Sequence, residues 1–547
     1  MRALPTFLLP LPSTSFSSSG LSSLHTLPTA LLMLLTSASL ALAQSRTTLP
    51  LNGVISLNTN RLPKTSPSGS FAIPQQFADG PPLGLSIALC NSTGGEGAPR
   101  FFVTNASNWD TQDDPGPTSP GLQGAGKDRD TWEIMLKDGM GSWTGLFPDG
   151  GVLGVDLGAA GTGAGVDFDV GVSESEPIHQ TLSALPLFGD TTANQALLFS
   201  APFLALPDAL TQRPTYPNYT LPAANMSQPA LPSGAAVPNV TLVLSETPDG
   251  GSGSGSLLRT GCALDRAAIG AGQRVGTIAS ETVWARDDGL GWRMQWVVEG
   301  LTPSTNYTAY VVTDSTTVSG PIYFATKSAA FTCPLVHSLP YCPSVSYAVP
   351  LPAPPGSAAS SDTYTDASGA LPGALTTPLL SYLANFTTVL TTHACGRDWY
   401  SPVVGCDDCQ KAYRAWLCAV SFVRCSEPSS SAASTQAQAQ AQARAQAQLP
   451  ISALLPQPTS SPPRNPFLPS PSTEYTALLP CIEQCYAVDR ACPPFLGFKC
   501  PSVGASDAVG ARASYGVGFL DGEDGEKGAG KTGAAGDRWG NVWCNFV

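Results

Sequence analysis

Charge is scarce in this chain. Charged residues fill 12% of its 547 positions, about half the usual share. Acids outnumber bases 40 to 27, for a net charge of −13. That balance excludes nucleic acid as a partner, because phosphates require a basic face. Histidine is scarcer still, and only His179, His337 and His393 follow the apolar run near the N-terminus. No G-x-S-x-G elbow and no H-E-x-x-H helix is present, so the common hydrolase arrangements are missing. Acid pairs such as Asp113/Asp114 and Asp407/Asp408 are adjacent in sequence and point different ways. Nothing sets them at the ~5–10 Å facing separation of a glycosidase. They read as solvated loop acids or helix caps. The chain is expected not to be an enzyme, and to use no cofactor and no metal.

Long hydrophobic runs are also lacking. Residues 27–43, "LPTALLMLLTSASLALA", form the main apolar run, shorter than the ~20 residues of a membrane-spanning helix. It ends in Ala41-Leu42-Ala43, a small-x-small cleavage signature. Residues 1–43 therefore read as a signal peptide, with a retained N-terminal anchor as the alternative. The later "FSAPFLALPDAL" (199–210) is broken by two prolines and an aspartate. The C-terminal "WGNVWCNFV" lacks the spacer and tail of a lipid-anchor signal.

What is abundant fits a secreted surface. Seven N-x-S/T sequons occur, at Asn91, Asn105, Asn218, Asn225, Asn239, Asn306 and Asn385, and they predict a glycosylated exterior. None follows Asn385, a hint that the C-terminal region is kept bare for contact. Of fourteen cysteines, Cys90, Cys262, Cys333 and Cys342 precede residue 350. Cys395, Cys406, Cys409, Cys418, Cys425, Cys481, Cys485, Cys492, Cys500 and Cys544 follow it. Both counts are even, which in an oxidising compartment predicts two disulfide-bearing regions without a leftover thiol.

Glycine (54) and proline (51) are plentiful, as turn-rich β structure requires. Across 44–345, short β-rich runs stand between turn residues: "GLSIALC" (84–90), "RFFVTNAS" (100–107), "GVDFDVGV" (165–172), "QALLFSAPF" (195–203), "VTLVLS" (240–245) and "MQWVVEGL" (294–301). Their spacing predicts one or two antiparallel sandwiches. "GLTPSTNYTAYVVT" (300–313) is similar to the tyrosine-corner strand of fibronectin-like sandwiches. Residues 346–375, rich in Pro, Ser and Ala, read as a linker. "LLSYLANFTTVLTT" (379–392) then spaces Leu379, Leu383, Phe386 and Leu390 along one helical face.

The region 376–547 holds two cysteine clusters. In "CDDCQKAYRAWLC" (406–418), Asp407 and Asp408 suit a helix start, while Tyr413, Trp416, Leu417 and Val420 form one apolar face. Cys409 and Cys418 are placed to staple this helix to two different neighbours. Lys411 and Arg414 mark its exposed side, a candidate partner surface. In "PCIEQCYAVDRACPPFLGFKC" (480–500), Cys481, Cys485, Val488 and Cys492 make one stripe on a helix between Pro480 and Pro493. The C-x2-C at Cys406 also permits zinc or redox chemistry, but an oxidising compartment favours disulfides. The Gln/Ala and Pro/Ser stretch 426–472 reads as a disordered low-complexity insertion. The Gly-rich 521–537, with its "GEKGAGKTG", reads as a flexible loop because no strand precedes it and no helix pattern follows.

"GCDDCQKAYRAWLCAVSFVRC", "PCIEQCYAVDRACPPFLGFKCP" and "SLPYCPSVSYAVPLP" (338–352) together closely resemble the fungal mating-induced-death family. That family is the stretch-activated calcium-channel component, a regulatory subunit of the fungal high-affinity calcium channel. The resemblance spans about residues 80 to 547. It implies an α+β multidomain fold, with a β-sandwich-like N-terminal region followed by a disulfide-rich helical domain similar to Frizzled-type cysteine-rich domains. It also implies likeness to the extracellular auxiliary subunit of the animal sodium-leak channel. The expected partner is a pore-forming four-repeat calcium-channel subunit, through which the chain would associate with the membrane. The expected location is the secretory pathway, with the endoplasmic reticulum and the extracellular face of the plasma membrane. The alternatives are a secreted or wall-associated adhesion module and a self-contained stretch-activated cation channel.

Overall fold

A computed structural model describes residues 46–62, 69–76, 80–91, 99–105, 131–157, 165–205, 221, 230–247, 258–270, 275–286, 291–354, 363–368, 371–392, 395, 400–401, 403–427, 454–470, 472–501, 514–516 and 544–545. The candidate signal peptide and the Gly-rich 521–537 lie outside them. So does most of the low-complexity insertion.

Two β-sandwiches come first, antiparallel except where Thr47–Thr48 runs parallel to Gly69–Ile73 and Gln180–Leu182 parallel to Thr317–Ala325. In one, a five-stranded sheet carrying Gly69–Ile73, Gly151–Asp156 and Arg100–Thr104 faces a four-stranded sheet of Gly53–Asn58, Asp167–Ser173, Leu83–Leu89 and Met140–Gly145. Alternation puts Phe168, Val170 and Val172 inward from one sheet, with Phe101, Val103, Leu153 and Val155 from the other. Phe101 and Phe168 meet edge to face with ring centroids 5.1 Å apart, a geometry the aromatic quadrupole favours.

The second sandwich pairs Val240–Glu246, Asn306–Thr313, Thr317–Ala325 and Gln180–Leu182 against Leu187–Thr191, Gln195–Phe199, Gly291–Glu299 and Thr277–Arg286. Its core holds Trp296, Tyr307, Phe324 and Val311. The Tyr307 hydroxyl accepts a 2.9 Å hydrogen bond from the Thr302 amide five residues upstream. This is the tyrosine-corner arrangement that the sequence around Tyr307 resembles. Helix α1, Gly261–Gly270, joins the sandwiches. Cys262 bridges to Cys90 at the end of a first-sandwich strand, while Leu264 sits among Val243, Tyr310, Val312 and Val318 of the second.

"QALLF" does not alternate, and all five of its residues are buried. The reason is a further layer. The outer face of that sheet, with Leu197, Phe199, Trp284 and Val297, packs against Cys333, Leu335, Ala348 and Cys425. The segment expected as a linker, 346–375, therefore begins inside the protein. Val345, Tyr347, Val349 and Leu351 are buried, and Tyr347–Ala348 and Thr363–Tyr364 flank Leu335–Val336 in a small sheet. Its Pro and Ser content suggested a linker, but its apolar residues alternate with them and cover the sheet.

The helical part follows: α2, Gly373–Thr392; α3, Cys406–Ser421; and α4, Ile482–Ala491. Leu375, Leu379, Leu383 and Leu390 of α2 are buried, the face its sequence spacing predicts. The reading of 426–472 as a disordered insertion needs correction at its end. Leu454–Gln457 pairs with Tyr475–Leu478, which also pairs with Arg424–Ser426, and Leu468 is buried. Leu454, Leu455 and Leu468 supply the apolar surface that the Gln/Ala tract lacks.

Candidate functional site

The helical part is held by covalent bonds on every side. Asp408, at the third position of α3, accepts a 2.8 Å hydrogen bond from the Gly405 amide through Oδ2, half of a capping box. Tyr413 stacks on Phe386 of α2, with centroids 3.6 Å apart, and Trp416 meets Phe498 edge-on at 5.0 Å. Trp416 Nε1 donates to the Tyr515 hydroxyl at 2.9 Å. The Tyr400 hydroxyl shares its one proton between Gly405 O, at 2.8 Å, and Ala491 O, tying the start of α3 to the end of α4. Burial, with Asp408 and Asp407 adding to it, pushes Tyr400 up to about 12.

Every cysteine is oxidised, in seven bridges. Cys406 pairs with Cys395 and Cys409 with Cys492, so the C-x2-C is neither a redox couple nor a zinc site. Cys485 pairs with Cys500 and Cys481 with Cys544. Cys418 reaches Cys342, and Cys333 reaches Cys425. Helix α3 is thus stapled to two different neighbours, as its spacing predicts. The expectation of two separate disulfide regions is overturned, since two bridges cross the supposed boundary. Counting parity along the chain could not reveal this, because each side stays even when two bonds cross.

Two groupings of potential metal ligands, Cys90/Asp169/Cys262 and Cys481/Glu483/Cys544, each have their two sulfurs joined to one another. One carboxylate then remains in each, too few donors for a site. The two described histidines are structural. His179 Nδ1 lies 2.9 Å from Ser86 Oγ, and burial lowers its pKa. His337, beside Ser338 and Gln295, is pushed down to about 4 by burial. His393 and the acids Asp113 and Asp114 lie outside the described residues.

Polar groups the sequence did not single out fasten the helical part to the second sandwich. Asp190 is fully buried; Arg424 Nε donates to its Oδ2 at 2.9 Å, and Lys327 Nζ lies 3.7 Å from its Oδ1. Burial acts to raise this carboxyl, but Arg424, Lys327 and the Thr191 amide outweigh it and hold it below the ordinary range. The Tyr347 hydroxyl donates to Phe422 O at 2.9 Å, and Trp284 Nε1 to Pro343 O at 2.9 Å. Only an acid in a β-run hinted at Asp190, and exposed strand acids look the same.

Of the candidate partner surface, Lys411 is exposed. Arg414 is not: it retains 5% of its accessible surface. It lies on the stripe of Gln410 and Leu417, also buried, because neighbours enclose more of α3 than its apolar face. Tyr382 and Val389 of α2 stay 47% and 41% exposed, with Phe467 nearby at 37%. A groove of about 240 Å³ runs there between Leu375, Leu379, Tyr382, Val420, Arg464 and Phe467. Among the sequons, Asn105, Asn239 and Asn385 are exposed and Asn306 is half-buried. Asn91 is half-buried too, its amide donating to Gly165 O and accepting from the Asp167 amide, each at 2.9 Å. Asn218 and Asn225 lie outside the described residues. Among the described residues, no helix is long and apolar enough to cross a membrane.

The chain is thus a double β-sandwich followed by a disulfide-locked helical part. Its relatives are fungal cation-channel components. A family profile described as the stretch-activated Ca2+-permeable channel component matches residues 106–532, and the chain belongs to this family, Mid1. It is 34% identical over 474 residues to the stretch-activated cation channel MID1 of Cryptococcus neoformans var. grubii, covering 78% of this chain and 72% of that one. To the protein of the same name in Saccharomyces cerevisiae it is 31% identical over 223 residues, 38% of this chain and 34% of the relative. The stretch-activated cation channel yam8 of Schizosaccharomyces pombe is 29% identical over 230 residues, 41% and 40% of the two chains.

Proposed function

We propose that this chain is the extracellular auxiliary subunit of a fungal plasma-membrane calcium channel. It docks on a pore-forming four-repeat subunit and supports calcium influx in stress or mating responses. The observation carrying this reading is the helical part itself. Seven disulfides with no free thiol are the chemistry of the secretory pathway, and rigid helices fixed to a sandwich suit a docking surface. The likeness of this part to Frizzled-type domains belongs to the same proposal, supported by its helices joined through cystines. Affinity purification of the tagged chain in mild detergent tests it: a large four-repeat membrane protein should co-purify. A freely secreted monomer, with normal calcium uptake in a deletion strain, would sink it.

The names of the relatives, stretch-activated cation channels, favour a second reading, a channel in its own right. That reading requires the 27–43 segment to be retained. N-terminal sequencing of the mature protein separates the two, since a start near Gln44 removes the segment.

A further inference from the structure

The groove beside α2 lies next to a sequon on the same helix. Asn385 is exposed on α2, three residues after Tyr382 and four before Val389, so the three share one side of the helix. Helical side chains lean toward the N-terminus and cover the preceding turn. Asn385 therefore stands one turn beyond Tyr382, which lines the groove. Leu379 lies two turns back from Phe386, and one turn rises about 5.4 Å, comparable to one pyranose ring with its linkage. Tyr382 and Phe467 face each other across the rim with centroids 6.5 Å apart. Tyr382 and Phe467 stay 47% and 37% exposed. Two partly exposed aromatic rings above an apolar floor of Leu375 and Leu379 suit the C–H face of a sugar, whose hydroxyls stay in water.

We propose that Asn385 carries an N-linked glycan whose first sugars lie in this groove against Tyr382 and Phe467. In its formation, Asn385 Nδ2 attacks the anomeric carbon of a polyprenyl-diphosphate-linked oligosaccharide. The N–C bond forms, the C–O bond to the diphosphate breaks, one amide proton is lost, and the polyprenyl diphosphate leaves. The Thr387 hydroxyl completes the sequon. In the folded protein it donates to Leu383 O at 3.0 Å and accepts from Gln410 Nε2 at 2.7 Å, so it is taken up by the packing of α2 on α3. The inference rests on the secretory location proposed above. It adds that this face of α2 is closed by carbohydrate, which leaves channel contact to other faces.

The test uses the full chain from a glycosylating host, with Asn105 and Asn239 as exposed references. Peptide mass spectrometry should find Asn385 occupied. Under native conditions an endoglycosidase should release its glycan about tenfold more slowly than the references, the factor that ~1.4 kcal/mol of packing gives. In Tyr382→Ser, and independently in Phe467→Ser should the first variant fold poorly, release should rise to the reference rate. An unmodified Asn385 beside occupied references overturns this inference alone, as does release at the reference rate in the parent chain. All sites unmodified overturns the secretory reading with it.

Discussion

Arg424 Nε donates a 2.9 Å hydrogen bond to Asp190 Oδ2 across 234 residues of sequence. The carboxylate also accepts from the Ala348 amide at 3.2 Å, so one buried acid serves three segments. Removing one partner of a buried pair typically costs about 3–5 kcal/mol. Asp190→Asn is therefore expected to destabilise the protein by that amount, measured by denaturant unfolding. The folded carboxyl is held below its ordinary value, so its contribution is present above about pH 3.9 and is lost as pH falls below it. In Asp190→Asn this part of the acid dependence should vanish.

His337 has the opposite charge type and the same direction of dependence. Its pKa falls to about 4 when folded, against about 6.5 unfolded. Between those values only the unfolded chain takes up the proton. Stability is full above about pH 6.5 and declines toward pH 4, by about 3 kcal/mol at 1.36 kcal/mol per unit. His337→Gln should flatten the pH profile of thermal unfolding across this window.

Cys409–Cys492 spans the low-complexity tract, whereas Cys333–Cys425 closes before it begins. A protease site placed near Gln440 and cut should leave one band on a non-reducing gel and two after reduction. Separation without reductant would contradict the pairing.

Tyr307→Phe keeps the buried ring and removes only the hydroxyl that the Thr302 amide uses. The expected loss is about 1–3 kcal/mol, from an amide left without its acceptor, read as a shift in the urea midpoint with unchanged slope.

Lys411→Ala touches nothing buried, so stability should stay within about 0.5 kcal/mol. Under the proposed function it should weaken co-purification with the channel. Unchanged recovery would remove Lys411 from the contact.

The strands were legible because their local pattern is their whole cause: "VTLVLS" and "GVDFDVGV" alternate, and turns bound them. The helices α3 and α4 were legible from cysteine and apolar spacing, with Asp408 as cap. What stayed hidden was long-range. Nothing in "SYAVPLP" says that it covers Phe199 and Trp284, since a buried strand and a proline-rich linker share that composition. Arg414 misled for a related reason. Charge predicts exposure on a helix with one buried face, but α3 is enclosed by several neighbours at once.

The bridges Cys333–Cys425 and Cys342–Cys418 also decide how the helical part can come away from the body. Cys418 at the end of α3 and Cys425 in the strand just after it are each bonded to the segment that lies on the second sandwich. All four half-cystines are buried, so the helical part cannot leave the sandwich without a covalent bond breaking or the segment under it unfolding.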